Sequence, residues 1–346
     1  MIYKLKDLVN INYGKDHKKI SNGNIPVYGT GGLMRYVDKY IYDGNSVLIP
    51  RKGSLNNVKF VQGKFWTVDT MFWTKINSEI VLPKYLYYCI SKINLAALNV
   101  GSAVPSLTVK ILNELQFNIP NIDEQQKIIN KIAPIEAKII LNNQINDNLD
   151  ALLTTIFEEK VKNSGFDEAK LTDIANYKNG LAMQKYRPKN NESSLPVLKI
   201  KELNQGYTDN SSDRCSTNID KGVIVNQGDI IFSWSGTLLV KNWSGKTAGL
   251  NQHLFKVTSN QYPDWFIYEW TKHYLKKFQL IASGKATTLG HIKRNDLKSS
   301  KVFIPNKDTL NEYNTQLKPL YDKRIAIIKE TQCLNDLKQT LLQKYF

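Results

Sequence analysis

The sequence predicts a mixed α/β (α+β) protein in which two duplicated globular domains are separated by an antiparallel coiled coil of two long helices. Three observations lead to this fold class. The sequence repeats once at a spacing of about 183 residues, each copy ends in a long amphipathic stretch, and short strand-like segments alternate with turns elsewhere. Because two equal helices can bury each other, we expect a pseudo-two-fold symmetric arrangement.

The repeat extends along the whole chain. The spacing is 166 residues at Leu5 and 185 residues from Ile119 onward, which predicts an insertion of roughly 18 residues in the second copy, between Leu181 and Asp220. The matched pairs include Leu5/Leu171, Gly44/Gly228, Gly53/Gly236, Pro83/Pro263, Leu107/Leu289, Ile119/Ile304 and Pro134/Pro319. A long period with only two copies indicates duplicated domains and argues against a solenoid.

The repeat divides the chain into four segments. Residues 1–122 and 164–307 form the globular domains, whereas residues 123–163 and 308–346 form the helical regions. The long helices lie at about 134–161 and 319–346, and at about 1.5 Å per residue each is roughly 42 Å in length.

Strand-like segments bounded by turns dominate the first globular domain. The expected strands are Ile25–Tyr28, Tyr40–Tyr42, Ser46–Ile49, Val58–Val61 and Met71–Trp73. The stretch from Pro83 to Leu98 is typical of a helix, so the domain mixes both element types.

Each helical region follows an Ile-Pro pair. Asp123 with Gln126 predicts a capped short helix, and Pro134 predicts a break, because proline inside a helix removes a hydrogen bond and clashes with the preceding turn. Apolar residues at three- and four-residue steps predict a packing face that polar residues such as Asn142 interrupt. The expected helix–helix packing residues are Ile135, Ile139, Ile145, Leu149, Leu152, Ile156, Leu320, Ile327, Leu334, Leu337 and Leu341.

The basic charge lies outside the helical regions. Of the formal net charge of +16, residues 123–161 carry −3 and residues 308–346 carry +1, which leaves +18 on the rest of the chain. A basic globular surface is what phosphate binding requires, because neutralised phosphates release condensed counterions. A generally lysine-rich composition would give the same total, and charge alone does not distinguish DNA from RNA.

Three loops of the first copy combine cations, hydroxyls and amides with glycine turns, the groups that contact phosphates and base edges. Taken singly, each is typical of an ordinary turn. Together with the charge distribution, they predict a nucleic-acid-binding surface. The candidate residues are Thr30, Gly31, Arg35, Arg51, Lys52, Ser54, Asn56, Ser102, Ser106, Thr108 and Lys110.

The corresponding loops of the second copy differ in sequence, although the framework residues match. This combination predicts one scaffold that recognises two different sequences. The candidate residues are Lys199, Lys201, Ser233, Trp234, Ser235, Thr237, Lys285, Thr287, Thr288, His291 and Lys293.

Catalytic, metal-binding and membrane-spanning patterns are missing from the sequence. The four histidines and three cysteines lack metal-ligand or disulfide spacing, and we find no Gly-rich phosphate loop, HExxH motif or Asp/Asn-Pro-Pro-aromatic tetrapeptide. No apolar run approaches membrane-spanning length. We therefore expect a non-catalytic, cytoplasmic binding protein without a metal site or a membrane partner.

The chain resembles the specificity subunit of type I restriction-modification systems over essentially its whole length. The resemblance rests on residues 25–32, Gly44 to Ser54, Gly101 to Thr108, and Ile119-Pro120 followed by Glu124-Gln125-Gln126. The second copy departs from this pattern, because Tyr313-Asn314 replaces the glutamine positions and Ser233-Trp234-Ser235 replaces Pro50-Arg51-Lys52.

The resemblance implies that the globular domains are target recognition domains, each reading one half of an asymmetric bipartite double-stranded DNA sequence, with the antiparallel helices as a ruler. It implies two modification (methyltransferase) subunits that hold S-adenosylmethionine and methylate adenine at N6 after flipping it from the stack. Two restriction subunits that use ATP and Mg are optional further partners. The chain itself binds no cofactor in this interpretation.

Two other interpretations stay open at this point. One is the specificity component of a fused nuclease-methyltransferase system. The other is an autonomous DNA-binding regulator, which would bind its site tightly without a partner.

Overall fold

The computed structural model describes residues 1–101, 104–162, 166–284 and 290–346. These residues divide into two compact units. Unit 1 comprises Met1–Ala137 and Asp336–Phe346, and unit 2 comprises Lys138–Asn335. Each unit therefore contains one globular domain and a part of each long helix.

The first sequence copy alternates short strands with a few helices. Its strands are β1 (Ile2–Lys4), β2 (Val9–Tyr13), β3 (Ile25–Gly29), β4 (Gly32–Val37), β5 (Tyr42–Asp43), β6 (Ser46–Pro50), β7 (Lys59–Val61), β8 (Lys64–Thr67), β9 (Met71–Ile76) and β10 (Gln116–Asn118). Its helices are α1 (Leu5–Leu8), α2 (Pro83–Ser91), α3 (Val109–Asn113) and α4 (Ile122–Phe157), with a 3-10 turn at Leu95–Leu98 and a π-helical turn at Glu158–Lys162.

The second copy follows the same order with additional elements. Its strands are β11 (Asp167–Lys170), β12 (Asn176–Asn179), β13 (Ser194–Leu198), β14 (Arg214–Ser216), β15 (Ile224–Val225), β16 (Ile230–Ser233), β17 (Leu239–Asn242), β18 (Ala248–Leu250), β19 (Leu254–Thr258) and β20 (Lys301–Ile304). Its helices are α5 (Leu171–Ile174), α6 (Ile200–Gln205), α7 (Asp264–His273), α8 (Leu275–Ser283), α9 (Arg294–Lys298) and α10 (Lys307–Tyr345), with 3-10 turns at Met183–Lys185 and Lys221–Val223.

Both copies build their sheets with the same strand order. Unit 1 contains the sheets β2-β9-β6-β7, β4-β3-β8-β5 and β1-β10, and unit 2 contains β12-β19-β16-β17, β14-β13-β18-β15 and β11-β20. Each copy also has a parallel pair at the same place, β3 with β8 and β13 with β18. The shared topology confirms the duplication and the mixed α/β class.

A buried apolar cluster lies between the main sheet of each copy and the helix that follows it. In unit 1, Val47 and Ile49 of β6 pack in one cluster with Leu86 of α2. In unit 2, Ile230 of β16 and Phe266 of α7 belong to the corresponding cluster. Burying one such side chain contributes about 1.5–3 kcal/mol, and side chains between these positions point to the other face of the sheet.

The insertion predicted for the second copy includes the connection after β13. In unit 1, the two-residue turn Thr30-Gly31 joins β3 to β4, whereas residues 199–213, which include α6, join β13 to β14. Gly206 ends α6 with a φ of +86°, and its amide donates to the Glu202 carbonyl at 2.8 Å. This left-handed residue gives the inserted helix an ordinary glycine end.

All five expected strands of the first copy are present, with ends shifted by one to three residues. Strands β1, β2, β4, β8 and β10 were not predicted. Strand β4 begins at a glycine, and β1, β8 and β10 have only three or four residues, too few to show a clear alternation. The expected helix from Pro83 to Leu98 is wrong in its second half. Helix α2 ends at Ser91, and Leu95–Leu98 forms a separate 3-10 turn, because Ser91, Lys92 and Asn94 interrupt the apolar spacing.

The long helices are continuous through their prolines, so the prediction of a break at Pro134 is wrong. Helix α4 contains Pro134, and α10 contains Pro319. An internal proline costs about 3 kcal/mol. Packing of the flanking turns offsets this cost, since Ile132 lies buried before Pro134 and Leu317 lies buried before Pro319.

Both long helices begin with the same side-chain cap. The Asn121 Oδ1 accepts the Glu124 amide at 2.9 Å, and the Asn306 Oδ1 accepts the Thr309 amide at 2.9 Å. The cap of α4 is therefore Asn121. The sequence pattern had indicated Asp123 instead. Within the described ranges, no helix is long and apolar enough to cross a membrane.

The segments of α4 and α10 run antiparallel inside unit 1. The Lys131 ammonium donates to the Tyr345 hydroxyl at 3.0 Å, and Glu136, further along α4, pairs with Lys338, earlier on α10, at 2.7 Å. Rising residue numbers on α4 therefore face falling numbers on α10.

The same antiparallel pairing occurs inside unit 2. The fully buried Asn142 donates to Glu330 at 2.9 Å, and Lys160 donates to Gln316 at 2.7 Å. A buried polar residue between helices disfavours other registers, because a shift would leave its amide without partners. This is the role that the sequence predicts for Asn142.

The packing face of the helices differs from the predicted stripe at two equivalent positions. Leu152 and Leu337 are 45% and 46% exposed, so the prediction that they pack between the helices is wrong. Leu153 and Phe157 are buried in the main cluster of unit 2 instead. The core of the globular domain packs against the same helix, so the buried face of α4 is shifted by one residue from the predicted stripe. The other predicted positions, Ile135, Ile139, Ile145, Leu149, Ile156, Leu320, Ile327, Leu334 and Leu341, are partly or fully buried.

Glu269 of α7 is almost fully buried against α4. Its Oε2 lies 2.9 Å from the Thr154 hydroxyl, which also lies 2.9 Å from the Asp150 carbonyl and accepts from Lys272 at 2.8 Å. The Thr154 hydroxyl hydrogen is therefore shared between the Glu269 carboxyl and the Asp150 carbonyl. Burial raises the pKa of Glu269 to about 7, Asp150 adds to the rise, and Lys272 and Arg324 oppose it.

Replacing Glu269 with glutamine should change how stability depends on pH. The folded-state pKa of about 7 lies above the ordinary value of 4.5, so the wild type loses stability as pH rises through this range and loses no more above it. The unfolding free energy of Glu269→Gln relative to wild type should therefore increase with pH by on the order of 3 kcal/mol. Denaturant unfolding in steps of pH measures this, with the exposed Glu312→Gln as control. A difference that stays constant with pH would contradict it.

Candidate nucleic-acid interface

Two of the three candidate loops of the first copy meet in unit 1, where residues 51–53 lie against residues 105–107. Three backbone contacts join them: the Lys52–Ser106 bridge, the Gly53 amide donating to the Pro105 carbonyl at 2.9 Å, and the Leu107 amide donating to the Arg51 carbonyl at 2.9 Å. Gly53 has a φ of +86°, a conformation that favours glycine. We call these two segments the loop pair of unit 1.

The third loop, the turn Thr30-Gly31, lies against the loop pair. The Asn57 side-chain amide donates to the Thr30 carbonyl, and its Oδ1 accepts from Lys59 at 3.2 Å. A Cβ at Gly53 would lie 3.7 Å from the Thr30 hydroxyl oxygen. All three candidate loops therefore form one continuous edge of unit 1.

Asn99 shapes the segment that leads into the loop pair. Its Oδ1 accepts the amides of Gly101 and Ser106 at 2.8 and 2.7 Å. The Thr108 hydroxyl then accepts the Ile111 amide at 3.3 Å and caps α3. Helix α3 follows this turn, and the Thr108 hydroxyl already occupies one of its first amides.

Both candidate arginines of unit 1 donate to backbone carbonyls. The Arg35 guanidinium donates to Ile20 at 2.6 Å, and the Arg51 guanidinium donates to Asp69 at 3.0 Å and lies 5.3 Å above the Tyr13 ring centre. These contacts hold the loops in shape. Fewer guanidinium donors are left for an incoming ligand.

Asn56 also has a structural role, because it donates to Asn94 at 3.2 Å and accepts the Ala96 amide at 3.0 Å. The candidates that are exposed in unit 1 are Gly31, Lys52, Ser54, Asn56, Thr108 and Lys110. Exposed ammonium and hydroxyl groups on a shaped edge suit phosphates and base edges.

Unit 2 repeats the loop pair with the same backbone contacts, and we call residues 234–236 with 290–292 the loop pair of unit 2. The contacts are the Ser235–His291 bridge, the Gly236 amide donating to Gly290 at 2.9 Å, and the Ile292 amide donating to Trp234 at 3.1 Å. Gly236 also has a positive φ, +64°. Leu107 therefore corresponds to Ile292, and its predicted pairing with Leu289 is wrong because matched apolar residues alone do not fix a loop alignment.

Trp234 occupies the position of Arg51 but belongs to an aromatic cluster. Its indole N–H donates to Asn179 at 3.0 Å, and its ring stacks on Phe255 with centroids 5.7 Å apart. A partly buried indole gives this loop pair an apolar surface where unit 1 has a guanidinium.

Ser233 and Ser235 are buried, so the prediction that their side chains contact DNA is wrong. Ser233 has no exposed surface and Ser235 only 6%, and the Ser233 hydroxyl donates to the Ser235 carbonyl at 3.2 Å. This local hydrogen bond satisfies the hydroxyl without solvent.

Lys199 and Lys201 are paired with acidic or hydroxyl groups of the inserted segment. Lys199 forms an ion pair with Asp213, and its hydrogen bond and charge lower the pKa of that carboxyl. Lys201 donates to Ser211 at 3.0 Å and lies 4.0 Å from Asp209. These cations add less to a phosphate-binding surface than their number predicts.

The remaining candidates of the second copy divide into two groups. Thr237 and Lys293 are exposed, but the Lys293 backbone amide cannot donate to a ligand because it already donates to Asp296 at 2.7 Å. His291 is partly buried in the loop pair of unit 2. Ser102, Lys285, Thr287 and Thr288 lie outside the described residues.

Three residues that organise the edge of unit 1 were not among the predicted candidates. Asn57 and Asn99 stand beside glycine-containing turns, where asparagine commonly bonds the nearby backbone, and this pattern could have found them. Lys59 begins β7, and burial lowers the pKa of its ammonium. No sequence pattern distinguishes it from an exposed lysine. In the described part of the chain, no group of three or more His, Cys, Asp or Glu side chains could hold a metal ion.

A family model described as the type I restriction modification DNA specificity domain matches residues 1–151 and 163–339. The MjaIX specificity subunit of Methanocaldococcus jannaschii is 24% identical over 372 residues, which cover 98% of this chain and 84% of that protein. The HindI specificity subunit of Haemophilus influenzae is 31% identical over 100 residues, 27% of this chain and 22% of that protein.

A solved structure also has a similar fold. The crystal structure of a type I restriction-modification S subunit from M. genitalium matches with a TM-score of 0.58 and 15% sequence identity, over 100% of this chain and 96% of that chain. Its likeness extends through both sequence copies.

Replacing Asn57 with alanine should loosen the turn Thr30-Gly31. The variant loses the amide that holds the Thr30 carbonyl, so the amides of residues 30–33 should exchange hydrogen about tenfold faster, as expected for one lost hydrogen bond. Hydrogen exchange resolved by residue measures this, with Asn45→Ala as a matched control on another exposed loop. Unchanged exchange at the turn would show that Asn57 does not hold it.

Proposed function

The chain belongs to the type I restriction-modification DNA specificity family, and we propose that its two globular domains are target recognition domains that each read one half of an asymmetric bipartite double-stranded DNA target. In this proposal, residues 1–122 and 164–307 read the DNA. Residues 123–163 and 308–346 are the helical regions that separate the two readers.

One observation carries this proposal: the same loop pair occurs in both copies with different side chains. Its backbone contacts recur between Gly53 and Pro105 and between Gly236 and Gly290, both at 2.9 Å. A shared backbone with different side chains suits two related surfaces that recognise different sequences.

Exposed cations and hydroxyls beside the loop pairs are the proposed phosphate and base contacts. Lys52, Ser54 and Lys110 serve in the first copy, and Thr237 and Lys293 serve in the second. The charge of +18 outside residues 123–161 and 308–346 supports the attraction of a duplex. Arg51 and Trp234 shape the two surfaces and make them unlike, which favours two different half-sites.

The long helices are the proposed spacing device. Helix α4 has 36 residues and α10 has 39, which correspond to roughly 54 and 58 Å at about 1.5 Å per residue. Because both helices continue without a break, we propose that the non-specific gap between the half-sites depends on their length.

Catalysis belongs to partner chains in this proposal. Two modification subunits bind S-adenosylmethionine and methylate adenine at N6 after base flipping. Restriction subunits that use ATP and Mg complete the complex where they are present. The chain itself acts in the cytoplasm as a non-catalytic subunit without a cofactor.

Methylome sequencing tests the function directly. The chain is co-expressed with its cognate modification subunit in a host that lacks adenine methylation, and the modification subunit alone is the control. A single bipartite motif methylated only when the chain is present is the expected result. The same adenine methylation with and without the chain would refute the proposal, and tight footprinting by the isolated chain would favour a regulator.

Lys52→Ala should weaken DNA binding of the complex and reduce its salt dependence. If Lys52 neutralises one phosphate, the slope of log K against log salt should become shallower by about 0.9. The control is Lys75→Ala, an exposed lysine near the far end of β9. Fluorescence anisotropy between 50 and 200 mM salt, roughly the range over which such slopes are resolved, measures both. An unchanged slope for Lys52→Ala would remove it from the phosphate contacts.

A further inference from the structure

We propose that one buried ionic cluster in each unit is a positioning element, which fixes the orientation of the recognition domain on the long helices and so sets the gap between half-sites that the complex accepts. This inference rests on the proposed function. The Glu136 cluster consists of Lys84, Tyr88, Glu136 and Lys338 in unit 1. The Arg324 cluster consists of Asp150, Asn242, Tyr268, Lys272 and Arg324 in unit 2.

The Glu136 cluster joins the recognition domain to both long helices. Glu136 of α4 accepts the Tyr88 hydroxyl at 2.9 Å, and it pairs with Lys84 of α2 and Lys338 of α10 at 2.7 Å each. The Glu136 side chain is only 11% exposed. Burial opposes ionisation, but the hydrogen bonds from Lys338 and Lys84 hold the pKa of this carboxyl below its usual value.

Lys84 extends this cluster to the strand that leaves the loop pair of unit 1. Its ammonium lies 4.8 Å from the Phe60 ring centre and 5.0 Å from that of Tyr87. Phe60 belongs to β7, which begins at Lys59, two residues after the candidate loop 51–57 ends. The Lys84 ammonium that pairs with Glu136 therefore also contacts the strand next to the proposed DNA-reading loop.

The Arg324 cluster makes the corresponding connection in unit 2. Arg324 of α10 is 8% exposed and donates to Asn242 at 2.5 Å and to the Tyr268 hydroxyl at 2.8 Å. Asp150 of α4 lies 3.2 Å from Arg324 and 2.5 Å from Lys272 of α7. One network thus includes α4, α7, α10 and β17.

The two clusters occupy equivalent places but use different chemistry. Tyr88 and Tyr268 are matched in the sequence repeat. Phe60 and Asn242 are matched by their places in the sheets. Phe60 of β7 pairs with Val47 of β6, and Asn242 of β17 pairs with Ile230 of β16. Unit 1 uses one carboxylate between two lysines, whereas unit 2 uses one guanidinium between an amide, a hydroxyl and a carboxylate.

Directional contacts at these places explain why orientation is fixed. Apolar contacts tolerate small rotations of one element on another, because the hydrophobic effect is non-directional. A buried carboxylate or guanidinium keeps its partners only within a narrow range of angles, and losing one partner leaves a buried charge uncompensated. A domain held in this way keeps one orientation on its helices.

The test compares methylation of synthetic sites whose gap is the native one or is one base pair shorter or longer. Four complexes with the modification subunit are compared. They contain the wild-type chain or the variant Tyr88→Phe, Glu136→Gln or Arg324→Lys. Wild type should methylate the site with the native gap in preference to the other two sites. In each variant, the ratio of methylation at the native gap to methylation at the altered gaps should fall about tenfold, while the half-site sequences stay the same. Arg324→Lys keeps the charge but loses the forked geometry, so it tests direction and not charge.

Matched controls separate positioning from stability. Leu8→Ala in unit 1 and Ile174→Ala in unit 2 remove buried side chains from equivalent short helices that contribute no residue to either ionic cluster. They should lower the melting temperature at least as much and keep the native gap preference. Unchanged gap preference in all three cluster variants, or a changed half-site sequence, would overturn the inference. A wild-type complex without any bipartite motif would instead refute the proposed function.

Discussion

In each loop pair, one glycine amide donates to a carbonyl of a segment far away in sequence and holds the two segments together. Gly53 and Gly236 both adopt left-handed backbone conformations and donate to carbonyls more than 50 residues away, at Pro105 and Gly290. A side chain at either glycine would be strained, so the loop could not turn back at the same point. The strand bridge, the following helix and the exposed cations all depend on this connection.

Backbone contacts allow the two copies to diverge at their surfaces. Because amides and carbonyls are the same in every residue, the loop pairs keep their hydrogen bonds while Arg51 is replaced by Trp234 and Lys52 by Ser235. In unit 1, some polar candidates also hold the loops together. Arg35 donates to the Ile20 carbonyl and Asn56 donates to Asn94, so these donors are already occupied by neighbouring segments.

The long helices show how tertiary packing overrides local rules. A proline inside a helix predicts a break, yet the buried turns around Pro134 and Pro319 keep α4 and α10 continuous. The apolar stripe is correct in period but shifted where the domain core packs against it, with Leu153 buried and Leu152 exposed. Because α4 packs against both α10 and the core of the globular domain, its buried residues cannot all lie on a single narrow stripe.

The sequence by itself determined the duplication, the long helices, the main strands, the position of the insertion and the three loops of the first copy that meet at one edge. These features follow from spacing, periodicity and turn residues, which are local or repeat along the chain. The tertiary structure alone decided which side chains remain exposed. Ser233 and Ser235 are buried, Lys199 is neutralised by Asp213, and Asn57 joins two loops. Exposure and pairing depend on contacts between residues far apart in sequence, and no local pattern encodes those contacts.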